Sequence, residues 1–342
     1  MRRDRRRSWI GVGAWLAAAL LSLAVSVAIG PTALDLGSLW RAVLAGPGAQ
    51  APEAAGGWIQ AVVWEIRFPR AVLALLVGAA LGAAGAAYQG VLRNPLADPF
   101  VLGVSSGAAL GAVAGILFGG QVGLYGLFAV PGLAFVGGLA GLAAVFWLGS
   151  IRGPGPRNNT LILAGVVVQS FFGAILTVLM VAASNRLPNV MLWLLGSLAN
   201  RDPRLIWSLV PATALGLTVV WWEARNLNVL TLGEEEAAHL GVDVGAVRLV
   251  ILGAASLMTA AAVSVAGIIG FVGLVVPHVL RILAGPDHRT LVPLSALGGG
   301  VFLLWADNVA RTVVPGQEIP IGAITAFCGA PFFAYLLHRQ GR

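Results

Sequence analysis

Fourteen carboxylates, four histidines and one cysteine are the groups in this chain that could support acid–base, metal or thiol chemistry, and their spacing speaks against each. No HExxH, CxxC or comparable ligand pattern occurs, so no resident metal and no cofactor is expected. Cys328 stands alone, which excludes an intramolecular disulfide, and it reads as a small buried apolar side chain. All 21 basic residues are arginine. Without a lysine there is no GxxxxGK[ST] loop to hold nucleotide phosphates, so any ATP hydrolysis must come from another subunit. Asp307 is the carboxylate that falls within an apolar run, and Arg311, four residues on, can neutralise it. That disfavours a proton or sodium relay, which needs free ionisable groups at membrane depth. His278 follows Pro277, where proline frees a carbonyl one turn back for a polar side chain. Haem-iron ligation is the sharper alternative for His278, and the structural role is preferred. His239 and His288 read as solvated. The chain is expected not to be an enzyme.

Two polar stretches stand out from the apolar background. Residues 223–245, EARNLNVLTLGEEEAAHLGVDVG, contain a strongly helical EEEAAHL bracketed by Gly233 and Gly241, and Glu234, Glu235 and Glu236 suit the positive end of that helix. Taken alone, this is a solvated charged helix. Residues 93–111, RNPLADPFVLGVSSGAALG, place Pro95 and Pro99 between two long apolar runs. Proline cannot continue a helix, so the chain breaks at 94–99 and re-enters as a helix packed through Gly103, Gly107 and Gly111. Arg67 and Arg70 flank Phe68-Pro69, where the bland reading is arginines snorkelling to an interface.

The elements that must position these groups are set by composition. Of 342 residues, 58% are hydrophobic and 10% charged, against about 25% charged in a soluble domain; mean hydropathy is +0.89. This is a polytopic membrane protein. Apolar runs near 10–30, 68–91, 101–118, 122–149, 160–183, 205–222, 246–266, 270–284, 291–310 and 320–338 are candidate spans, the eighth of them short. The MRRDRRR start could be the n-region of a cleaved signal, but the apolar run after it is too long and no small-residue cleavage site follows, so it is read as a signal for a cytoplasmic N-terminus. Arginines crowd the side holding 1–8, 150–159, 223–245 and 281–289, so both termini are expected in the cytoplasm. The net charge of +7 partly reflects that start and does not indicate a nucleic-acid partner. On the opposite side, Leu36, Leu39, Trp40, Val43 and Leu44 recur at helical spacing and predict a surface helix. Residues 184–204 carry MLWLLGSL, apolar but too short to span, which predicts a partial helix lining a cavity. The loop 150–159 predicts a tight turn.

Taken together, RFPR, RNPLADPFVLGVSSG, GEEEAAHLGV, GFVGLVVPHVLR, GPDHR, LLWADNVART, EIPIG and GAPFFAYLL resemble, in order, the permease subunits of the ABC importers for iron–siderophores, haem and vitamin B12, the FecCD-type permeases. The resemblance implies an all-α, type II importer permease of about ten transmembrane helices, one domain over 1–342, in a bacterial inner membrane. It implies a homodimer surrounded by lipid, two ABC ATPase subunits on the cytoplasmic face, and one substrate-binding protein, periplasmic or a lipoprotein, outside. It makes Gly233, Glu234, Glu235, Glu236, Ala237, Ala238, His239, Leu240 and Gly241 the coupling segment that meets the ATPase. It makes Arg67, Arg70 and Arg311 the docking points for the binding protein. It puts the cytoplasmic gate near Asn94, Leu96, Arg157, Asn158 and Asn159. An iron chelate is the expected cargo, with haem or vitamin B12 as alternatives in the same family. A secondary transporter, a channel or a membrane scaffold is the alternative of another class.

Overall fold

Where a chain is too apolar to leave its backbone to water, hydrogen bonding within helices is the main way to satisfy N–H and C=O groups. The computed structural model describes residues 2–32, 34–48, 57–119, 123–151, 158–182 and 184–340, and among these every regular element is helical. In chain order they are α1 (Arg2–Ala28), α2 (Leu36–Ala45), α3 (Gly57–Ala61), α4 (Phe68–Val91), α5 (Val104–Phe118), α6 (Gly123–Ser150), α7 (Asn158–Ala182) and α8 (Leu187–Leu194). There follow α9 (Ile206–Trp222), α10 (Ala224–Leu230), α11 (Glu234–His239), α12 (Val244–Ala266), α13 (Val272–Ala284), α14 (His288–Thr312) and α15 (Ile321–Gln340). Each of the ten apolar runs forms a helix. Seven of the described helical segments are long and apolar enough to cross a membrane, while α5, α13 and the apolar part of α15 are shorter.

The bundle is organised around α4. Its span is 78% buried and those of α12 and α14 are each 72% buried, against 22% for α1, α6 and α7, so the first three form the core and the others its wall. Glycine makes the core seams possible. A Cβ at Gly78 or Gly82 of α4 would be driven into the backbone carbonyls of Gly299 and Ser295 on α14. The expected ridge on α5 packs the same way: a Cβ at Gly107 would strike the Gly137 carbonyl of α6, and one at Gly111 the Leu133 carbonyl. Polar groups in the core pair with each other. Tyr88 Oη on α4 lies 2.5 Å from Ser256 Oγ on α12, and Gln89 Nε2 donates to the Leu274 carbonyl at the start of α13, 3.1 Å away.

The breaks fall where the sequence puts them. Between α4 and α5 the chain turns through Arg93 in the left-handed region (φ +50°) and a 3-10 turn, Pro99–Leu102. The predicted surface helix is α2, started by the Asp35 carboxylate, which accepts the Ser38 N–H at 3.0 Å. The predicted partial helix is α8. The tight turn expected at 150–159 lies largely outside the described residues. The burial expected of Cys328 fails: it is exposed on α15, because that helix turns the face bearing Phe327 and Cys328 away from the core of its own chain.

The seams yield a clean test. Gly82→Ala or Gly107→Ala forces two backbones apart and is expected to lower the thermal unfolding midpoint of the chain in detergent. Gly173→Ala, where a Cβ meets nothing within 4 Å, is expected to leave it unchanged or raise it, since alanine is the better helix former by about 1 kcal/mol.

Candidate functional site

At one end of the bundle, α10 and α11 form an elbow outside the long helices. The turn of α11 is built by its glycines. Gly233 precedes it at φ +142°, and Gly241 ends it at φ +83°. The Val242 N–H reaches the Ala237 carbonyl and the Gly241 N–H the Ala238 carbonyl, both at 3.0 Å, a paired closure that needs a left-handed residue at position 241. This is the physical content of the EEEAAHLG pattern: three carboxylates at the positive end, one buried alanine (Ala237) as the packing face, and glycine as the stop. Glu235, Glu236, Ala238, His239 and Leu240 face outward. Leu232 and Leu240 are 65% and 64% exposed and flank the helix with apolar surface.

The elbow is clamped at both of its helices. Asn228 of α10 donates to the Asp287 carboxylate at 2.6 Å and accepts the His288 N–H at 2.9 Å, fixing α10 to the start of α14. His288 is therefore buried, 2% exposed, rather than solvated, because its ring folds under α10 to meet the Asn228 carbonyl oxygen at 2.7 Å. Glu234 of α11 makes an ion pair of 2.5 Å with Arg248, in the second turn of α12, and a looser one of 3.9 Å with Arg93 in the α4–α5 break. One carboxylate thus joins the exposed helix to two of the elements that bound the core.

The break beside it is ordered by local hydrogen bonds. The Asn94 side chain accepts the Leu96 N–H at 2.9 Å, closing an Asx turn. Asp98 accepts the Phe100 N–H at 2.8 Å, and burial pushes its carboxyl up to about 6 despite that bond. The Asn158 amide donates to the Val91 carbonyl at the end of α4, 3.1 Å away. Of the residues read as a gate, Asn94, Leu96 and Asn158 therefore gather at one break, and Leu96 is 39% exposed there. Asn159 is exposed beside them, and Arg157 lies outside the described residues.

At the opposite end, the three arginines read as docking points turn inward. Arg67 follows a single wide π-helical turn, Val62–Arg67. Its guanidinium donates to the carbonyls of Val27, Ala28 and Thr32 at 3.1, 2.9 and 2.5 Å, stopping the end of α1. Arg311 donates to the Ser26 carbonyl at 2.8 Å and to Asn308. The two are 3% and 4% exposed, so neither offers its charge to a partner in this conformation. This corrects the reading of Arg67 and Arg311 as surface contacts: the freed carbonyls at the end of α1 take their donors. Arg70 sits between them, with Nη2 on Asp307 and Nη1 on Glu318, both at 2.8 Å. Asp307 is fully buried and also pairs with Arg311 at 3.7 Å, so it neutralises two cations rather than one. Only Glu318, with a side chain 39% exposed, brings this network to the surface. Neither Arg70 with Glu318 nor Glu234 with Arg248 was legible as a pair, because the partners are far apart in sequence or lie across a turn.

The model of the FecCD transport family matches residues 18–339. The chain is 46% identical over 281 residues to the ABC transporter permease YvrB of Bacillus subtilis, covering 82% of this chain and 80% of the relative. It is 45% identical to the cobalamin import permease BtuC of Halobacterium salinarum (81% and 73% covered). It is 39% identical to the Fe(3+) dicitrate permease FecD of Escherichia coli (82% and 86% covered). A solved inward-facing ABC transporter described as of metal-chelate type superposes with a TM-score of 0.81 at 30% identity, covering 96% of this chain and 98% of that one.

The buried network yields a prediction. Asp307→Asn leaves Arg70 and Arg311 without their shared carboxylate and is expected to destabilise the chain by about 3 kcal/mol, read from denaturation in detergent. Arg204→Gln breaks a surface pair with Asp202 (2.7 Å, arginine side chain 61% exposed) and is expected to cost under about 1 kcal/mol.

Proposed function

The chain belongs to the FecCD transport family of ABC importer permeases, and from that premise we propose that it forms the translocation path for a bulky iron chelate. In this reading it works as one half of a homodimer, two partner subunits hydrolyse the ATP, and a substrate-binding protein delivers the cargo. The permease itself is not catalytic. Both termini and the α10–α11 elbow lie in the cytoplasm, a placement supported by the excess of arginine on that side.

The observation that carries the reading is the elbow. A six-residue helix with an exposed polar face, flanked by two exposed leucines and tied to the bundle by ion pairs, is surface suited to another protein. Residues Gly233–Gly241 meet the ATPase, and Glu234 passes its movement to α12 through Arg248 and to the α4–α5 break through Arg93. The break, with Asn94, Leu96, Asn158 and Asn159, is the cytoplasmic gate, and Arg157, outside the described residues, is assigned to it from the sequence alone. Asn94, Leu96, Asn158 and Asn159 carry no charge with which to grip a chelate, as suits a path that must release its cargo. Outside, the binding protein meets the rim carrying Arg70 and Glu318, with Arg67 and Arg311 holding that rim in shape. A second reading, cobalamin as cargo, is favoured by the similarity to the haloarchaeal cobalamin permease.

The test is reconstitution. The purified chain alone is expected to hydrolyse no ATP, and the full complex in vesicles is expected to take up labelled ferric chelate when ATP is supplied. Uptake of cobalamin without ferric chelate would select the second reading, and uptake of none of ferric chelate, haem and cobalamin would sink import as the function. Glu234→Gln is expected to leave assembly with the ATPase intact while uptake per ATP hydrolysed falls about tenfold, a coupling loss of ordinary size. Glu235→Gly with Glu236→Gly is expected to weaken assembly itself, at about 1 kcal/mol of helix propensity per glycine before contacts are counted. If Glu234→Gln alters nothing, the relay through Arg248 and Arg93 is wrong.

A further inference from the structure

At the end of the bundle away from the elbow, α6, α8 and the turn after α8 line an open cavity of about 570 Å3. Its wall combines apolar surface, including Val130 and Leu192, with side chains that donate hydrogen bonds. Arg201 is the unusual one. Its Nε donates to the Ser197 carbonyl at 3.1 Å, and among the described residues no carboxylate lies within ion-pair distance of its guanidinium. The two acidic groups on the same wall are taken: Asp202 by Arg204 at 2.7 Å and Glu318 by Arg70 at 2.8 Å. Burial holds the proton affinity of Arg201 below that of a free guanidinium, the expected effect on a cation with no counter-charge. Trp193, on the same wall, is 4% exposed, and its indole N–H has no acceptor among the described residues. A half-buried cation and a buried N–H donor are both costly to leave unmatched. Two carboxamides, Asn189 and Asn200, complete the polar part of the wall.

We propose that this cavity is a binding site for the oxyanion, carboxylate or phosphate, of a ligand with an apolar body. Arg201 supplies the charge, Asn189 and Asn200 the adaptable contacts, and Val130, Leu192 and the Trp193 ring the apolar surface. Charge-assisted bonds to an oxyanion are the strong ones in a partly dry site. Such an oxyanion has two sources here, a carboxylate-bearing chelate from outside or the headgroup of an anionic lipid. The site stands whether or not the chain takes part in import, since it is read from this one chain.

The experiment uses the full-length chain in phosphatidylcholine nanodiscs and needs no partner subunit. Its thermal unfolding midpoint is measured with and without ferric dicitrate, and again in nanodiscs containing phosphatidylglycerol. A ligand bound only by the folded state raises that midpoint. At least one of the two oxyanions is expected to raise it by about 2 °C or more, in the wild type and in Arg41→Gln, which removes an exposed arginine that does not line this cavity, and not in Arg201→Gln. Asn189→Trp, which fills the cavity and leaves the guanidinium in place, is expected to abolish the same shift. It keeps the test decisive if Arg201→Gln fails to fold. A response to ferric dicitrate alone identifies a chelate site, and one to phosphatidylglycerol alone a lipid site; either supports the proposal. No response to either probe, or an equal response in Arg201→Gln or Asn189→Trp, overturns it.

Discussion

The structure depends on one constraint: in a medium without water, a helix end must find donors for its last carbonyls. Several of the interruptions are closed by a polar side chain reaching in from another element. Arg67 closes α1, Asn158 closes α4, and Arg186 closes α5 through the carbonyls of Ile116 and Leu117. Gln169 of α7 donates to the carbonyls of Phe100 and Val101 in the break before α5, at 2.9 Å each. Gln89 of α4 does the same at the start of α13 and is itself held by Arg281 at 2.9 Å. The few polar residues of the core are spent mainly on keeping broken helices in place, and little chemistry is left over for a tightly binding path.

That economy separates the two ends. At the end bearing α1's terminus, guanidinium groups are drawn inward, because three arginines, Asp307 and the free carbonyls of α1 satisfy each other at low exposure. At the other end, α10 and α11 stand outside the long helices, and their polar groups are split. Asn228 and Glu234 face the bundle and fasten the elbow, while Glu235, Glu236 and His239 stay in solvent. A short helix of six residues has little stability of its own. Its shape rests on Gly233, Gly241 and the Glu234–Arg248 pair, which fastens it to α12.

The glycine seams explain how the interior tolerates breaks without loosening. Backbone approaches backbone along α4–α14 and α5–α6 because side chains are absent there. With no hydrophobic gain between helices in lipid, that close packing supplies much of the cohesion. The helices of the wall, α6 and α7, keep large apolar side chains such as Trp147 and Phe171 outward, available to lipid or to a second copy.

The sequence by itself determined the helices, their order and their interruptions. Apolar runs of membrane length admit only one local structure, and proline at 95 and 99 admits only a break. It also determined the form of α11, since its carboxylates, buried alanine and terminal glycine act within one turn. The identity of the family was legible because those local motifs recur in fixed order. What the tertiary structure decided was the use of each charged side chain. Arg67, Arg70 and Arg311 look alike in sequence, and only the arrival of the α1 terminus and of Glu318 shows that two are buried fasteners and one touches the rim. Arg201 carried no motif, and only the cavity and the prior pairing of Asp202 and Glu318 show it to be unmatched. His288 and Cys328 exchanged their expected surroundings for the same reason. Burial and pairing depend on which distant segments arrive at a place, and a one-dimensional pattern of hydropathy does not contain that information.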